Sequence, residues 1–357
     1  MDETVPDIIF DTNGICNICS KAKERIKLEY HDKKKNSEKF RKIIDDLKLK
    51  GRKKKYQCII GISGGLDSSY VAYILKKEGI NPLAIHFDNG WNSELAIKNI
   101  EIVLKNLNID LITNVVDWEE FRDIQFAFIK SSISNLEIPT DHAILATLFM
   151  YAAKYNLPIV HGGNLSTESI MPSEWMHDNK DFFLINKICK KNNIKIKTFP
   201  ILSTLKIVNY FFIKRIKYLG ILNYLDYSKI EALKVLEKYG YRNYEQKHFE
   251  SVFTRFFQGY ILPKKYNIDK RKAHYSSLIL TNQMTREQAI KELNKNFIYD
   301  PKQLIIDKEF FCKKFNLDEN KFETLMNEVP VSADKYSNFN KYINKYGKYI
   351  KKIKTKI

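Results

Sequence analysis

Between residues 57 and 161 one pattern repeats: a short apolar run, a break, then a longer run with helical periodicity. The apolar runs are 57–62, 82–87, 111–116 and 158–161; the helical ones are 68–79, 93–106, and the pair 118–133 and 140–156. Unbroken apolar runs of this length suit strands buried on both faces. Their alternation with helices predicts βαβ units: an α/β fold with a parallel sheet and helices on both faces. A chain of 357 residues has room for more. The expected division is a helical, Cys-x-x-Cys-bearing segment at 1–55, the alternating domain at 56–200, and a mostly helical region at 201–357, where the alternation fades.

In open parallel sheets, ligands sit beyond the carboxyl ends of the strands. Three polar groups fall there: Ser63-Gly64-Gly65-Leu66-Asp67-Ser68-Ser69, Asp88-Asn89-Gly90 and Gly162-Gly163-Asn164. They should converge on one crevice. The first group is a small-residue turn leading into a helix, so backbone N–H groups and the positive end of the helix dipole meet around one point. Gly64 and Gly65 carry no Cβ to block an approaching anion, and Ser63, Ser68 and Ser69 add hydroxyl donors. This is a phosphate cradle. It lacks the spacing and the lysine of a Walker A loop.

The formal charge of +18, from 60 Lys+Arg against 42 Asp+Glu, favours anionic partners or reflects a Lys- and Asn-rich composition. Five scattered cysteines make no secreted disulfide framework, and Asp2, Glu3 and Asp7 replace the basic start of a signal peptide. With no uncharged apolar run of bilayer length, a cytoplasmic protein is expected. Residues 205–225 set Phe211, Phe212 and Ile213 beside Lys214, Arg215 and Lys217, the pattern of a core helix, a partner helix or a peripheral membrane contact.

The 63–69 motif resembles the diphosphate loop of the PP-loop ATP pyrophosphatases, whose fold is the adenine nucleotide alpha hydrolase-like parallel sheet. More of the chain resembles one branch, the N-acetyl sugar amidotransferases of the WbpG and PseA type. The matching stretches include Gly14-Ile15-Cys16-Asn17-Ile18-Cys19, Ile85-His86-Phe87-Asp88-Asn89-Gly90-Trp91-Asn92, Pro139-Thr140-Asp141-His142-Ala143, Glu250-Ser251 through Arg255-Phe256-Phe257-Gln258-Gly259, and Asp269-Lys270-Arg271-Lys272-Ala273-His274. The resemblance implies that ATP adenylates the acetamido oxygen of a nucleotide-linked N-acetyl sugar. Ammonia then displaces AMP to leave an acetamidino group, in the making of surface polysaccharide or flagellar sugars. It also implies Mg²⁺, a glutaminase partner like that of imidazole-glycerol-phosphate synthase, and a cyclase-like subunit, with no nucleic acid partner. The competing enzyme reading keeps the loop and makes the substrate RNA, as in PP-loop transfer-RNA thiolases and lysidine synthetases.

On this reading Ser63, Gly64, Gly65, Asp67, Ser68 and Ser69 hold the diphosphate, with Asp67 either on magnesium or capping the helix. His86 and Asp88 lie beside the adenosine, unless Asp88 caps the helix that starts near Ser93. Gly162 and Gly163 admit AMP closely or form a plain loop. Asp141 and His142 contact substrate and take a proton from ammonium, or merely cap their helix. Ser63 and Asp67 join them as catalytic candidates. Asn164, Glu168, His177, Arg255, Lys270, Arg271 and His274 are assigned to substrate, with solvated charge as the alternative for the basic ones. Cys16 and Cys19 offer two thiolates where zinc takes four ligands. In the family a second pair precedes the position of Met1, and His31 is a poorly spaced third ligand. Zinc at Cys16 and Cys19 is the expectation.

Overall fold

A computed structural model describes residues 1–29, 33–163, 165–172, 175, 178–244, 249–295 and 300–336 of the protein. At its centre are five strands: β1 (Cys58–Gly61), β2 (Pro82–Asp88), β3 (Asp110–Val115), β4 (Ile159–His161) and β5 (Tyr218–Gly220). They form one sheet in the order β3-β2-β1-β4-β5, and every pairing is parallel. The chain winds outward from β1 to β3, then crosses back to β4 on the other flank. The exits of β1 and β4 therefore flank the point where the winding reverses, the expected place for a ligand.

The apolar runs follow from burial on both faces. Cys58 and Ile60 pack with Val71, Leu75, Ile100 and Val103 on one side. Ile59 packs with Leu145, Phe149 and Ala152 on the other. Gly61 continues that second side, where a Cβ would come within 3.3 Å of Leu148. Period-two alternation thus splits a continuous run between two layers.

The expected helices are present as Leu66–Lys77, Glu94–Leu107, Trp118–Lys130 and Ile138–Tyr155. Ser93 caps the second through the Ala96 N–H, and Asp117 caps the third through the Glu120 N–H. The lysine-rich lead holds helices Asn17–Glu29 and Lys33–Gly51. The latter buries Phe40, Ile44 and Leu47, at helical spacing, against the sheet. Thr285 and Gln288 form a capping box that opens helix Arg286–Leu293.

One element departs from the mostly helical region expected at 201–357. Helix Thr204–Val208 passes into a π-helical turn at Asn209–Ile213, and the chain then adds β5 to the edge of the sheet. Three residues pairing on one side leave no periodic signature. Beyond β5 the described residues are helical apart from turns and isolated bridges.

The C-terminal helices attach to the sheet through an aromatic cluster and a backbone splice. Trp91, just past β2, packs on Phe253, with 5.3 Å between ring centroids, and on Phe315 at 5.6 Å. Its indole N–H donates to Gln125 at 2.8 Å. Beside it the Val252 N–H donates to the Trp91 carbonyl at 2.8 Å, and the Ser93 N–H donates to the Glu250 carbonyl at 2.9 Å. Residues 250–252 are thereby held against the exit of β2. No helix among the described residues is long and apolar enough to cross a membrane.

Candidate active site

A cavity of about 720 Å³ opens at the carboxyl end of the sheet. Its floor is the turn after β1. Gly64 there has φ +80°, and a Cβ on it would lie 2.5 Å from the Ala96 carbonyl oxygen, so glycine is required by both conformation and space. The Gly65 N–H donates to Ser63 Oγ at 3.2 Å, and Ser68 Oγ donates to the Gly65 carbonyl at 3.1 Å. Helix Leu66–Lys77 begins at Gly65 with no side-chain cap, so its dipole points into the turn. Ser63, Gly65, Asp67 and Ser68 line the cavity.

Two expected loop contacts lie elsewhere. Gly64 faces helix Glu94–Leu107 and is absent from the lining. Ser69 is fully buried behind the loop. Asp67 does not cap the helix; it accepts a hydrogen bond from the Tyr227 hydroxyl. A second carboxylate approaches the loop, because Glu250 Oε1 accepts from Ser63 Oγ at 3.3 Å. Tyr244 closes the same side by donating to the Gly64 carbonyl at 3.1 Å. Tyr241 is buried and lines the cavity, and its hydroxyl has no partner among the described residues.

His86 lines the adjoining wall. Its Nδ1 donates to the Ile62 carbonyl at 2.9 Å, and its Nε2 accepts from the Asn92 amide at 3.1 Å. Both nitrogens are engaged, so the ring shapes the wall rather than acting as a base. Asp88 is neither a lining residue nor the helix cap. It accepts from the Gly90 N–H at 2.9 Å and from Asn92 at 3.0 Å, which fixes the turn after β2, while Ser93 caps the helix.

Gly162 and Gly163 also border the cavity. Their lack of side chains answers first to the protein's own packing. A Cβ on Gly163, at φ +90°, would stand 2.2 Å from Asn223 Oδ1, and one on Gly162 would meet Leu222 at 3.3 Å. Next to them His161 Nδ1 accepts from the Gly163 N–H at 3.1 Å, and the ring stacks on Tyr218 at 4.0 Å.

Asp141 faces the cavity from the first turn of helix Ile138–Tyr155. That helix starts at Glu137 with no side-chain cap, so the capping role is not observed for Asp141 or His142. His142 is fully buried away from the lining. Its Nδ1 donates to the Asn179 carbonyl at 2.7 Å, and its Nε2 accepts from the Leu202 N–H at 2.9 Å. It is a staple between two loops, not a proton acceptor in the site.

Burial pushes the His161 imidazole down to about 4 and lowers that of His142 as well. Both rings stay neutral in the fold and take up protons more readily when unfolded. Stability is therefore fully present above their ordinary value of 6.5 and is lost as the pH falls below it. We expect the melting temperature to drop from about pH 7 to about pH 5, with a shallower drop in His161→Gln. Equal slopes in thermal scans of the two proteins would remove His161 from this account.

The far wall comes from the C-terminal helices. Lys270 Nζ pairs with Glu137 at 3.2 Å, both largely buried, and the Gln258 amide donates to the same carboxylate at 3.0 Å. His274 Nε2 lies 3.7 Å from Glu168. Lys270, His274, Glu168, Ser251 and Thr254 line the cavity. Arg255 and Arg271 do not reach it. Arg255 makes a buried two-bond pair with Asp307, at 2.6 and 2.7 Å. Arg271 folds back onto Asp269, with 2.7 Å between Nη2 and Oδ2. Their planar forks satisfy carboxylates of the chain itself. Asn164 and His177 lie outside the described residues.

Cys16 immediately precedes helix Asn17–Glu29, and Cys19 lies in its first turn, where its N–H donates to Cys16 Sγ at 3.3 Å. Burial and the neighbouring Cys16 thiol push the Cys19 thiol up to about 12. No group of three or more His, Cys, Asp or Glu placed to hold a metal occurs among the described residues, and His31 lies outside them. The zinc expectation at Cys16 and Cys19 finds no support: among the described residues the pair is two ligands short of a tetrahedral set.

Sequence reasoning missed Glu250, Tyr227, Tyr241 and Tyr244. Glu250 falls in a stretch that carried the family resemblance but has no motif of its own. The tyrosines sit in a chain rich in tyrosine, and only the fold gathers them at the loop.

Residues 250–353 match the protein-family model described as LPS biosynthesis protein WbpG-like, C-terminal domain, which bears out the resemblance read from the sequence. Among curated proteins, the chain is 36% identical over 80 residues to an uncharacterized protein of Methanocaldococcus jannaschii, covering 22% of this chain and 29% of that one. It is 33% identical over 73 residues to tRNA(Ile)-lysidine synthase of Chlamydia pneumoniae, covering 20% of this chain and 22% of that one. It thus spans less than a third of either relative. Similar solved structures include NMN synthetase from Francisella tularensis, at 13% identity and TM-score 0.34, covering 81% of this chain and 98% of that one. NH3-dependent NAD synthetase from Campylobacter jejuni is similar at 16% identity and TM-score 0.29, covering 84% and 99%.

Proposed function

We propose, from the premise of a WbpG-like C-terminal region, that the protein is an ATP-dependent amidotransferase acting on the acetamido group of a nucleotide-linked N-acetyl sugar. One observation carries this reading. The WbpG-like region supplies Glu250, Ser251, Thr254, Gln258, Lys270 and His274 to the same cavity whose floor is the phosphate cradle. An anion-binding loop and the acceptor wall then share one cavity, as transfer between two bound substrates requires.

An amide carbon is a weak electrophile, and oxide is a poor leaving group. In the proposed reaction the amide oxygen attacks the α-phosphorus of ATP, and the bond to diphosphate breaks. Ammonia adds to the activated carbon, and AMP departs with the former amide oxygen. The proton lost by nitrogen goes to Asp141. Ser63, Ser68 and the N-terminus of helix Leu66–Lys77 take up the charge that develops on diphosphate. Asp67 and Glu250 offer the oxygen ligands that magnesium takes, and such an ion would neutralise phosphate charge. Without a counter-cation, two carboxylates at an anion site would oppose binding. Ammonia is proposed to come from a partner glutaminase with its cyclase-like subunit.

The Tyr241 hydroxyl, buried beside the cavity and without a partner among the described residues, is proposed to turn onto a phosphate oxygen when ATP binds. Tyr241→Phe should weaken ATP binding by about tenfold, the range of a hydrogen bond to a charged group, with an unchanged melting temperature. Unchanged ATP affinity in calorimetry would remove that contact.

The reaction is tested by mass spectrometry of nucleotide-linked N-acetyl sugars incubated with ATP, Mg²⁺ and ammonium. The expected product has oxygen replaced by NH, together with AMP and diphosphate; ADP formation would contradict the class. The similarity to tRNA(Ile)-lysidine synthase favours a second reading, in which the activated carbonyl belongs to RNA. Modification of transfer RNA, with no change in any sugar, would decide for it.

A further inference from the structure

An apolar crest lies apart from the active site, on helix Thr204–Val208 and the π-helical turn that follows it. Leu205, Val208 and Phe212 fall on one face by their spacing, with Ile213 beside them. Leu205 is 83% exposed and Ile213 73%. Phe211, Phe212 and Tyr218 are also exposed. The element is fixed from beneath, where Phe149 stacks on Tyr210 at 5.7 Å and on Tyr218 at 5.8 Å. The crest is therefore held outward by packing.

The stretch of chain that carries it has one sign of charge. From residue 182 to residue 225 the sequence has nine Lys or Arg and no Asp or Glu. Lys206, Lys214, Arg215 and Lys217 border the crest, and all four are exposed. Lys217 pairs with Asp46 at 3.1 Å, while the amines of Lys206 and Lys214 meet backbone carbonyls, which leaves their charge unneutralised. Large apolar side chains at one level, with lysine and arginine around them, match the acyl boundary and the anionic headgroups of a phospholipid surface.

We infer that this crest docks the protein on an anionic bilayer surface, with Leu205, Val208, Phe212 and Ile213 entering the headgroup layer and the basic rim meeting lipid phosphates. The inference stands apart from the reaction proposed above. The apolar area is small, so binding needs both contributions and falls with salt, as the screening length shrinks from about 10 Å at 0.1 M to about 3 Å at 1 M.

The test is co-sedimentation of the full chain with vesicles of phosphatidylcholine alone and of phosphatidylcholine with phosphatidylglycerol. Binding is expected to the mixed vesicles and to be at least about tenfold weaker to the neutral ones. Phe212→Ser/Ile213→Ser should lower binding to the mixed vesicles by about tenfold or more with an unchanged melting temperature, since both side chains are exposed. Lys214→Glu/Arg215→Glu should lower it by about tenfold or more and flatten the salt dependence. Three results would overturn the inference: no binding of the wild type, full binding by the Phe212/Ile213 variant, or a wild-type dimer in sedimentation equilibrium that this variant abolishes. The last would mean that a second copy covers the crest.

Discussion

Arg255→Ala is expected to lower folding stability by about 3–5 kcal/mol, because it leaves the Asp307 carboxylate buried without its partner. Asp307 has only 2% of its side chain exposed, and Arg255 14%. The Gln303 amide, 2.9 Å from Asp307, remains but carries no charge to offset the carboxylate. The lesion falls where helix Val252–Phe256 packs on helix Pro301–Phe315, the joint that holds residues 250–252 in place. Urea denaturation checks it. A variant with the wild-type midpoint and a raised KM for the sugar would restore Arg255 to substrate binding. Replacing both partners by apolar residues, as in Arg255→Met/Asp307→Leu, should recover much of the loss, since no charge is then stranded.

Asp67→Asn is expected to reduce formation of AMP and diphosphate by about two to three orders of magnitude, the scale of losing one preorganised charge contact at a reacting phosphate. The fold should tolerate it, because the asparagine carbonyl still accepts from the Tyr227 hydroxyl. Thermal melting and turnover are to be measured on the same preparation. Near-normal turnover with an intact fold would move the diphosphate away from this loop. A collapse of both would make Asp67 a structural residue.

The sheet was readable because its strands are buried on both faces, and that burial writes unbroken apolar runs such as 57–62 into the sequence. The cradle was readable for the same kind of reason: Gly64 has no substitute at φ +80° against the Ala96 carbonyl. Charge carried no such mark. Lys270 and Arg271 are adjacent in the sequence, yet one lines the cavity and the other folds back on Asp269. A helix turns successive side chains about 100° apart, so a cluster of basic residues says nothing of which one points inward. His142 misled in the same way. An imidazole beside a carboxylate looks like an acid–base pair, but Asp141 and His142 face opposite surroundings. Glu250, Tyr227 and Tyr244 depend on contacts across more than a hundred residues of chain, for which local pattern has no signal.

The splice between 91–93 and 250–252 is made by main-chain atoms. Such a joint is indifferent to the identity of the residues it aligns. Side chains on the acceptor wall can therefore be exchanged over generations while Glu250 keeps its post above the cradle. On the proposed function, the fold separates what nucleotide chemistry holds constant from what is free to drift toward a new sugar.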